Sequence, residues 1–247
     1  MIITNEGQAQ TKVKNNSYFL ISENSPFAIK ESYIKLRTNL MFSLCADGKN
    51  PCKVFALTSP NASEGKSTTA ANIAISFAML GKKTLIIDTD MRKPKQNRLW
   101  DIKAKTGLSD LLAQVNPCEV FEIKDLPLSV ICAGNTPPNP SELISSANMS
   151  GLLKAVKGMF DYVIIDTPPI NTVADAQIIS RLVDGTILLV RSGKTKKNDV
   201  MFALNSLKQA NGNLSGIVLN DIDLKSSKYS YKYNYYKKYS YNYEDYN

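Results

Sequence analysis

Between Lys53 and Asn220 the chain alternates short β-branched runs with helix-length stretches, and this restricts the fold more than any total does. KVFALTS, TLIID, LSVICAG, YVIID, TILLV and SGIVLN read as strands. STTAANIAISFAML, closed by Gly81, reads as a helix, as do LSDLLAQ, SELISS, SGLLKAVKGMF, ADAQIISRLV and NDVMFALNSLKQA. Strands that are apolar at nearly every position are buried on both faces. The expected fold is therefore α/β: a mostly parallel sheet with helices on both faces. Upstream, SPFAIKESYIKLRTNLMFSLCA reads as a further helix. Ser25 is its expected cap and Pro26 suits its first turn; Ile29, Tyr33 or Ile34, Leu36, Leu40 and Leu44 form its apolar face.

The flanks differ in kind. Residues 1–24 are polar and without period, an expected arm before a domain spanning 25–224. After Leu224 there is no Val, Ile, Leu, Phe or Met, yet nine of the twelve tyrosines lie there. Residues 225–247 are expected to be a disordered, low-complexity tail. The opening MIITNEGQAQTKVKNN lacks the apolar core of a signal peptide, and no run approaches the roughly 18 apolar residues that span a bilayer. A soluble, cytoplasmic protein is expected, with any membrane role acting through a partner.

Composition then removes whole classes of chemistry. The chain has no histidine, which excludes Ser-His-Asp hydrolysis, HExxH zinc sites and phosphohistidine relays. Acid–base work is left to carboxylates, lysine or tyrosine. Cys45, Cys52, Cys118 and Cys132 show no metal-ligand spacing and suit reduced thiols. A net charge of +8 suits anionic ligands without choosing among them.

The loop SPNASEGKST (59–68) joins the first long strand to its helix and carries the Gly-Lys-Ser core of a P-loop, with Pro60 where the motif has its first glycine. Ser63, Glu64, Gly65, Lys66, Ser67 and Thr68 form the candidate phosphate cradle, with Lys66 reaching the β/γ-phosphates and Ser67 ligating Mg²⁺. A chance Gly-Lys-Ser at a βα turn is the competing reading. Asp88 and Asp90 end one strand and Asp166 another, which places three carboxylates at the carboxyl edge of the sheet. Such oxygens suit Mg²⁺ on a nucleotide, whereas a single Asp there could equally be a helix cap.

EGKST, LIIDTDMRKP, VIIDTPP followed by ADAQ, GNTPPNPSELI and the tyrosine-rich end together resemble bacterial tyrosine kinases over about residues 25–247. The resemblance is to the soluble Gram-positive type that serves capsule or exopolysaccharide synthesis with a separate membrane activator. It implies a P-loop NTPase-like fold, ATP and Mg²⁺ as cofactors, and autophosphorylation of the tail. It implies that Asp90 and Asp166 support the metal, partly through water, and that Asp88 accepts the tyrosine proton. Arg92 would assist charge at the phosphoryl group or at a subunit contact. Asn220 resembles the adenine-side residue, with a turn-forming Asn as the alternative. The phosphoacceptors would be Tyr229, Tyr231, Tyr233, Tyr235, Tyr236, Tyr239, Tyr241, Tyr243 and Tyr246. Glu31 and Arg37 fit the family's Glu-x-x-Arg-x-x-Arg pattern for a homo-oligomeric ring such as an octamer, although Ile34 replaces its first Arg; Ala62-Ser63 stands where the loop often has Pro-Gly. The implied partners are a transmembrane polysaccharide co-polymerase-type activator at the inner membrane face, a cognate tyrosine phosphatase and other protein substrates, with no nucleic acid.

Residues 225–247 hold five Lys and two acidic residues, a net of +3, and each phosphate adds roughly −1.5 to −2. A few modifications would reverse that sign. Tyrosine interleaved with lysine can also hold single-stranded nucleic acid by stacking, and a prion-like stretch is a further alternative. The runner-up function is a partition or division-site ATPase, whose signature lysine would fall at Asn61. A weak regulatory module phosphorylated by another kinase is the third.

Overall fold

The computed structural model describes residues 3–4, 19–44 and 53–223. Leu44's side chain, Cys45, Cys52 and all nine tail tyrosines lie outside the described residues. The main sheet has seven strands in the order β5 (Phe121–Ile123), β6 (Leu128–Ile131), β3 (Thr84–Asp88), β7 (Tyr162–Asp166), β2 (Lys53–Thr58), β8 (Gly185–Arg191) and β9 (Leu214–Asn220). Every neighbouring pair is parallel except β5 with β6. A separate short pairing joins β1 (Ile3–Thr4) to β4 (Cys118–Glu119). β5 has three residues, too few for an alternation to show in the sequence.

Strand side chains alternate between two buried faces, the reason these runs lack polar positions. Phe55 and Leu57 of β2 pack with α2 (Lys66–Ala78) and α1 (Phe27–Leu44). Val54 and Ala56 face α4 (Leu108–Leu112), α6 (Ala147–Lys157), Ile144 of α5 (Pro140–Ser145) and Ile179 of α7 (Asp175–Ser180). α8 (Lys197–Gln209) covers β8 through Ala203 and Leu207 against Leu188. Ala70, Ala71 and Ala74 of α2 are wholly buried, and small side chains let the helix lie close to the sheet. The rings of Phe55, Phe77 and Tyr162 stack at centroid separations of 6.0, 6.1 and 3.9 Å and tie α2 to β2 and β7. Each such pair contributes about 0.5–1.5 kcal/mol beyond area burial.

α1 docks on α2 through Tyr33, Leu36, Leu40 and Met41, while Ile29 and Ile34 are exposed. Tyr33, not Ile34, is thus the residue of the apolar face. Arg37 reaches from this face to donate from Nη1 to the Ser76 carbonyl at 2.6 Å. That carbonyl lies in the last turn of α2, where the helix dipole favours a cation. Ser25 does not cap the helix; its hydroxyl accepts from Ser22 N at 2.9 Å, and the first turn is set by Lys30 N on the Pro26 carbonyl. The arm expected over 1–24 ends inside the core: Leu20 and Ile21 are 5% exposed, and Asn72 of α2 bonds Ile21 N and the Phe19 carbonyl.

Candidate active site

Because β7 lies between β3 and β2, the carboxyl ends of the three strands that carry candidate residues are adjacent. Asp88 and Asp166 are direct register partners on β3 and β7, and Leu57 of β2 pairs with Asp166. The loop from β2 to α2 turns sharply, with Ser63 at φ 62° and Gly65 at φ 97°. Gly65 caps α2 in the left-handed region, and a Cβ there would strike the Asn220 amide. The glycine is therefore favoured by its dihedral, and its missing Cβ leaves room for the Asn220 side chain.

Lys66 opens α2 with its Nζ 3.6 Å from Asp90 Oδ2, and both side chains are under a tenth exposed. Asp88 has no exposed surface; its Oδ1 accepts from Asp90 N, and its Oδ2 from Lys95 N and Gln96 N, all at 3.0 Å. Burial, then the nearby Asp166 charge, push the Asp88 carboxyl up from its ordinary 3.8 to about 8, against those three N–H donors. Burial raises Asp166 as well, opposed by Lys66, the Gln96 amide and the Ser67 hydroxyl. Asp166 Oδ2 accepts from Gln96 Nε2 at 2.8 Å, while its Oδ1 is buried without a hydrogen-bond partner. Two adjacent carboxylates out of water thus hold a proton more readily than two separate ones would.

The far side of the loop is clasped by β8, β9 and the start of α8. Glu64 Oε1 accepts from the Thr195 hydroxyl at 2.6 Å, and the Glu64 carbonyl accepts from Asn220 Nδ2 at 2.9 Å. Arg191 donates to the Ser63 carbonyl at 3.2 Å and pairs with Asp221 at 2.8 Å. Asn61 donates to Asp199 at 3.0 Å. Thr195, Arg191 and Asp199 are separated from the loop they hold by more than half the chain, so no local motif signals them.

Asn220 therefore sits against the phosphate loop. Arg92, 40% exposed, is held by the buried Asp175 at 3.4 Å and by the Ser141 hydroxyl, which itself bonds Asp175. Its guanidinium is tied to α5 and α7. Arg37 is engaged inside the fold, and Glu31 is half-buried on α1. Gln96, which belongs to none of the motifs, meets Ser67, Asp88 and Asp166 together.

Among the described residues no group of three or more acidic or cysteine side chains forms a ready metal cage. The donor set still fits Mg²⁺, which keeps several waters and takes one or two carboxylates beside nucleotide phosphates. The Ser67 hydroxyl, Asp90 and the orphaned Asp166 Oδ1 are the available oxygens. A cavity of about 600 Å³ among Lys83, Leu85, Leu128, Val156 and Phe160 includes none of these residues in its wall.

Residues 52–243 match the ParA family, described as NUBPL iron-transfer P-loop NTPase. Iron handling of that kind relies on accessible cysteine thiolates; of the cysteines among the described residues, Cys118 and Cys132 are both buried and pushed up to about 12, chiefly by that burial. The match thus supports the fold and the phosphate loop. Tyrosine-protein kinase YwqD of Bacillus subtilis is 40% identical over 204 residues, 81% of this chain and 85% of that protein. The chain belongs to the bacterial tyrosine kinases. A solved chimerical protein, CapA2B2, overlays on this bacterial tyrosine kinase with a TM-score of 0.77 and 34% identity, covering 86% of this chain and 93% of that one. The septum site-determining protein MinD of Pyrococcus horikoshii, solved with Mg-ADP, reaches a TM-score of 0.60 at 20% identity over 71% of this chain and 72% of that one. That more distant likeness shows a shared fold between the kinase and the division-site ATPase.

Proposed function

We propose that the chain is an ATP-dependent protein-tyrosine kinase that phosphorylates its own C-terminal tyrosine cluster, from one copy to a neighbour. The observation carrying this is the convergence of Lys66, Asp88, Asp90 and Asp166 at one sheet edge. Backbone N–H groups around Gly65 and the start of α2 bind the phosphates, and Lys66 neutralises charge on the leaving β–γ oxygen. Ser67, Asp90 and Asp166 would hold Mg²⁺, which when bound spreads the charge of the transferring phosphoryl group. Asp88, in its ionised form, takes the tyrosine proton late in the step. For that, the three N–H donors that hold it must share it with the incoming hydroxyl. The transition state is loose, so positioning and charge supply most of the catalysis. The Glu64–Thr195 and Asn220 contacts hold the loop in shape for it.

The same proposal extends to setting. No helix among the described residues is long and apolar enough to cross a membrane. We place the kinase at the inner membrane face, recruited by a transmembrane polysaccharide co-polymerase-type activator, in capsule or exopolysaccharide synthesis. A homo-oligomeric ring, a cognate phosphatase and further protein substrates belong to this reading.

Incubation of purified protein with Mg-ATP and an activator peptide, followed by phosphosite mapping, tests it. Tail phosphotyrosine is expected, lost at least about a hundredfold in Lys66→Met. Hydrolysis of ATP stimulated by DNA or lipid, with unmodified tyrosines, would instead mark a partition-type ATPase. Against that outcome stands Asn61, which occupies the place of the signature lysine and is tied within the chain to Asp199.

A further inference from the structure

The β3–α4 connection hides a residue that touches β3, β7 and α2 alike, through Asp88, Asp166 and Ser67. Gln96 opens α3 (Gln96–Leu99) and has no exposed surface. Its Nε2 donates to Asp166 Oδ2 at 2.8 Å and to the Ser67 carbonyl at 3.1 Å. Its Oε1 accepts from the indole Nε1 of Trp100 at 2.9 Å, and its backbone N–H donates to Asp88 Oδ2 at 3.0 Å. The orientation of the amide is dictated by its neighbours: a carbonyl and a carboxylate only accept, and an indole N–H only donates. Both N–H bonds and the carbonyl are therefore used, and no other side chain of this length supplies two donors and an acceptor in one plane.

We propose that Gln96 is a positioning residue for the metal–nucleotide site, acting through Asp166. By occupying Oδ2 it fixes the carboxylate rotation and leaves Oδ1, the oxygen with no protein partner, as the one presented to the metal's hydration shell. The Ser67 bond sets the first turn of α2 against β7, and the Asp88 bond links the same residue to the candidate base. Groups that orient a metal's carboxylate contribute about 10–100-fold to its affinity. The geometry adds an optical consequence. Trp100 is the chain's single tryptophan, is 2% exposed, and donates its indole hydrogen to this amide. Its fluorescence therefore reports on the hydrogen-bond network of the site, not on a distant core.

This inference rests on the kinase reading above for its role in catalysis, but not for its binding arm. The test uses full-length protein and Gln96→Met, which keeps length and apolar volume and removes all three polar contacts. Thermal melts first establish that the variant is folded; Trp100→Phe, which removes the indole bond together with part of a buried ring and is melted in the same way, is the second variant. Nucleotide binding is titrated with ADP at a series of Mg²⁺ concentrations, and the emission maximum is recorded without nucleotide. In Gln96→Met the Mg²⁺ concentration for half-maximal ADP affinity is expected to rise about tenfold, a larger change than any in metal-free ADP affinity, which reads the Ser67 bond alone. Its Trp100 emission is expected to move to shorter wavelength as the indole loses its acceptor. Trp100→Phe is expected to shift the Mg²⁺ requirement by about two- to threefold. A folded Gln96→Met with the wild-type Mg²⁺ requirement overturns the inference, as does a Mg²⁺ requirement unchanged in Trp100→Phe should Gln96→Met not fold. If the wild type forms no phosphotyrosine yet shows the expected Mg²⁺ shift between variants, the kinase reading fails and the role of Gln96 stands.

Discussion

Asp88 and Asp166 face each other across adjacent strands, and their shared burial sets how stability responds to pH. The sign follows from the raised folded values. Both carboxyls bind a proton more tightly in the fold than in the unfolded chain, so their contribution is complete below the ordinary 3.8 and is lost as pH rises toward about 8 for Asp88. The nucleotide-free protein should therefore lose stability between about pH 5 and 8, read as a falling melting temperature. Asp166→Asn keeps a carbonyl for the Gln96 donor and removes one of the two charges. It should flatten that decline and be more stable than the wild type at about pH 8, by roughly 1–3 kcal/mol, while binding Mg-nucleotide less tightly. These acids are legible in the sequence because each ends an apolar run, which fixes both strand and edge. Gln96 is not. In KPKQNRLW a polar residue between lysine and arginine reads as solvated loop, and only the return of Trp100 to the α2 face of the core buries it.

Elements show the same division between what periodicity carries and what contacts decide. The long strands, α2, α6 and α8 stand where their apolar patterns put them, since each must bury a face against the sheet. α1 is ambiguous at Tyr33 and Ile34 because neighbouring positions both allow an apolar stripe; packing against α2 chooses Tyr33, and Arg37 joins that buried side. Arg37→Ala should cost about 1–2 kcal/mol in urea unfolding, through the bond to Ser76 and the packing of its stem. Ile34→Arg, on the exposed side, should change stability by less than about 0.5 kcal/mol. The clasp of Thr195, Asp199 and Asn220 on the phosphate loop shows only in part. Asn220 stands out at a strand end, whereas partners from the β8–α8 turn carry no pattern that ties them to a loop so far back in the chain.

Across the whole molecule, the phosphate loop leaves the fifth of seven strands, with β7 and β8 on either side of β2. Ligand at such a position couples to the cooperative core rather than to a fraying edge. Mg-nucleotide at about a hundred times its dissociation constant should add about 2.7 kcal/mol. For a chain of this size that is a rise of roughly 5–10 °C in melting temperature, measurable by scanning fluorimetry and absent in Lys66→Met. The resemblance carried by the motifs covers this scale well, because EGKST, LIIDTD and VIIDTPP fall on three neighbouring strand ends.

α2 carries Lys66 at its front and the carbonyl that receives Arg37 near its rear, so that its 13 residues span about 20 Å. It is a stiff rod, buried along nearly its whole length, with α1 joined near one end and the lysine of the phosphate loop at the other. No proline or glycine interrupts those 13 residues, so a shift of α1 that moved the Ser76 end would reach the phosphate loop without meeting a hinge.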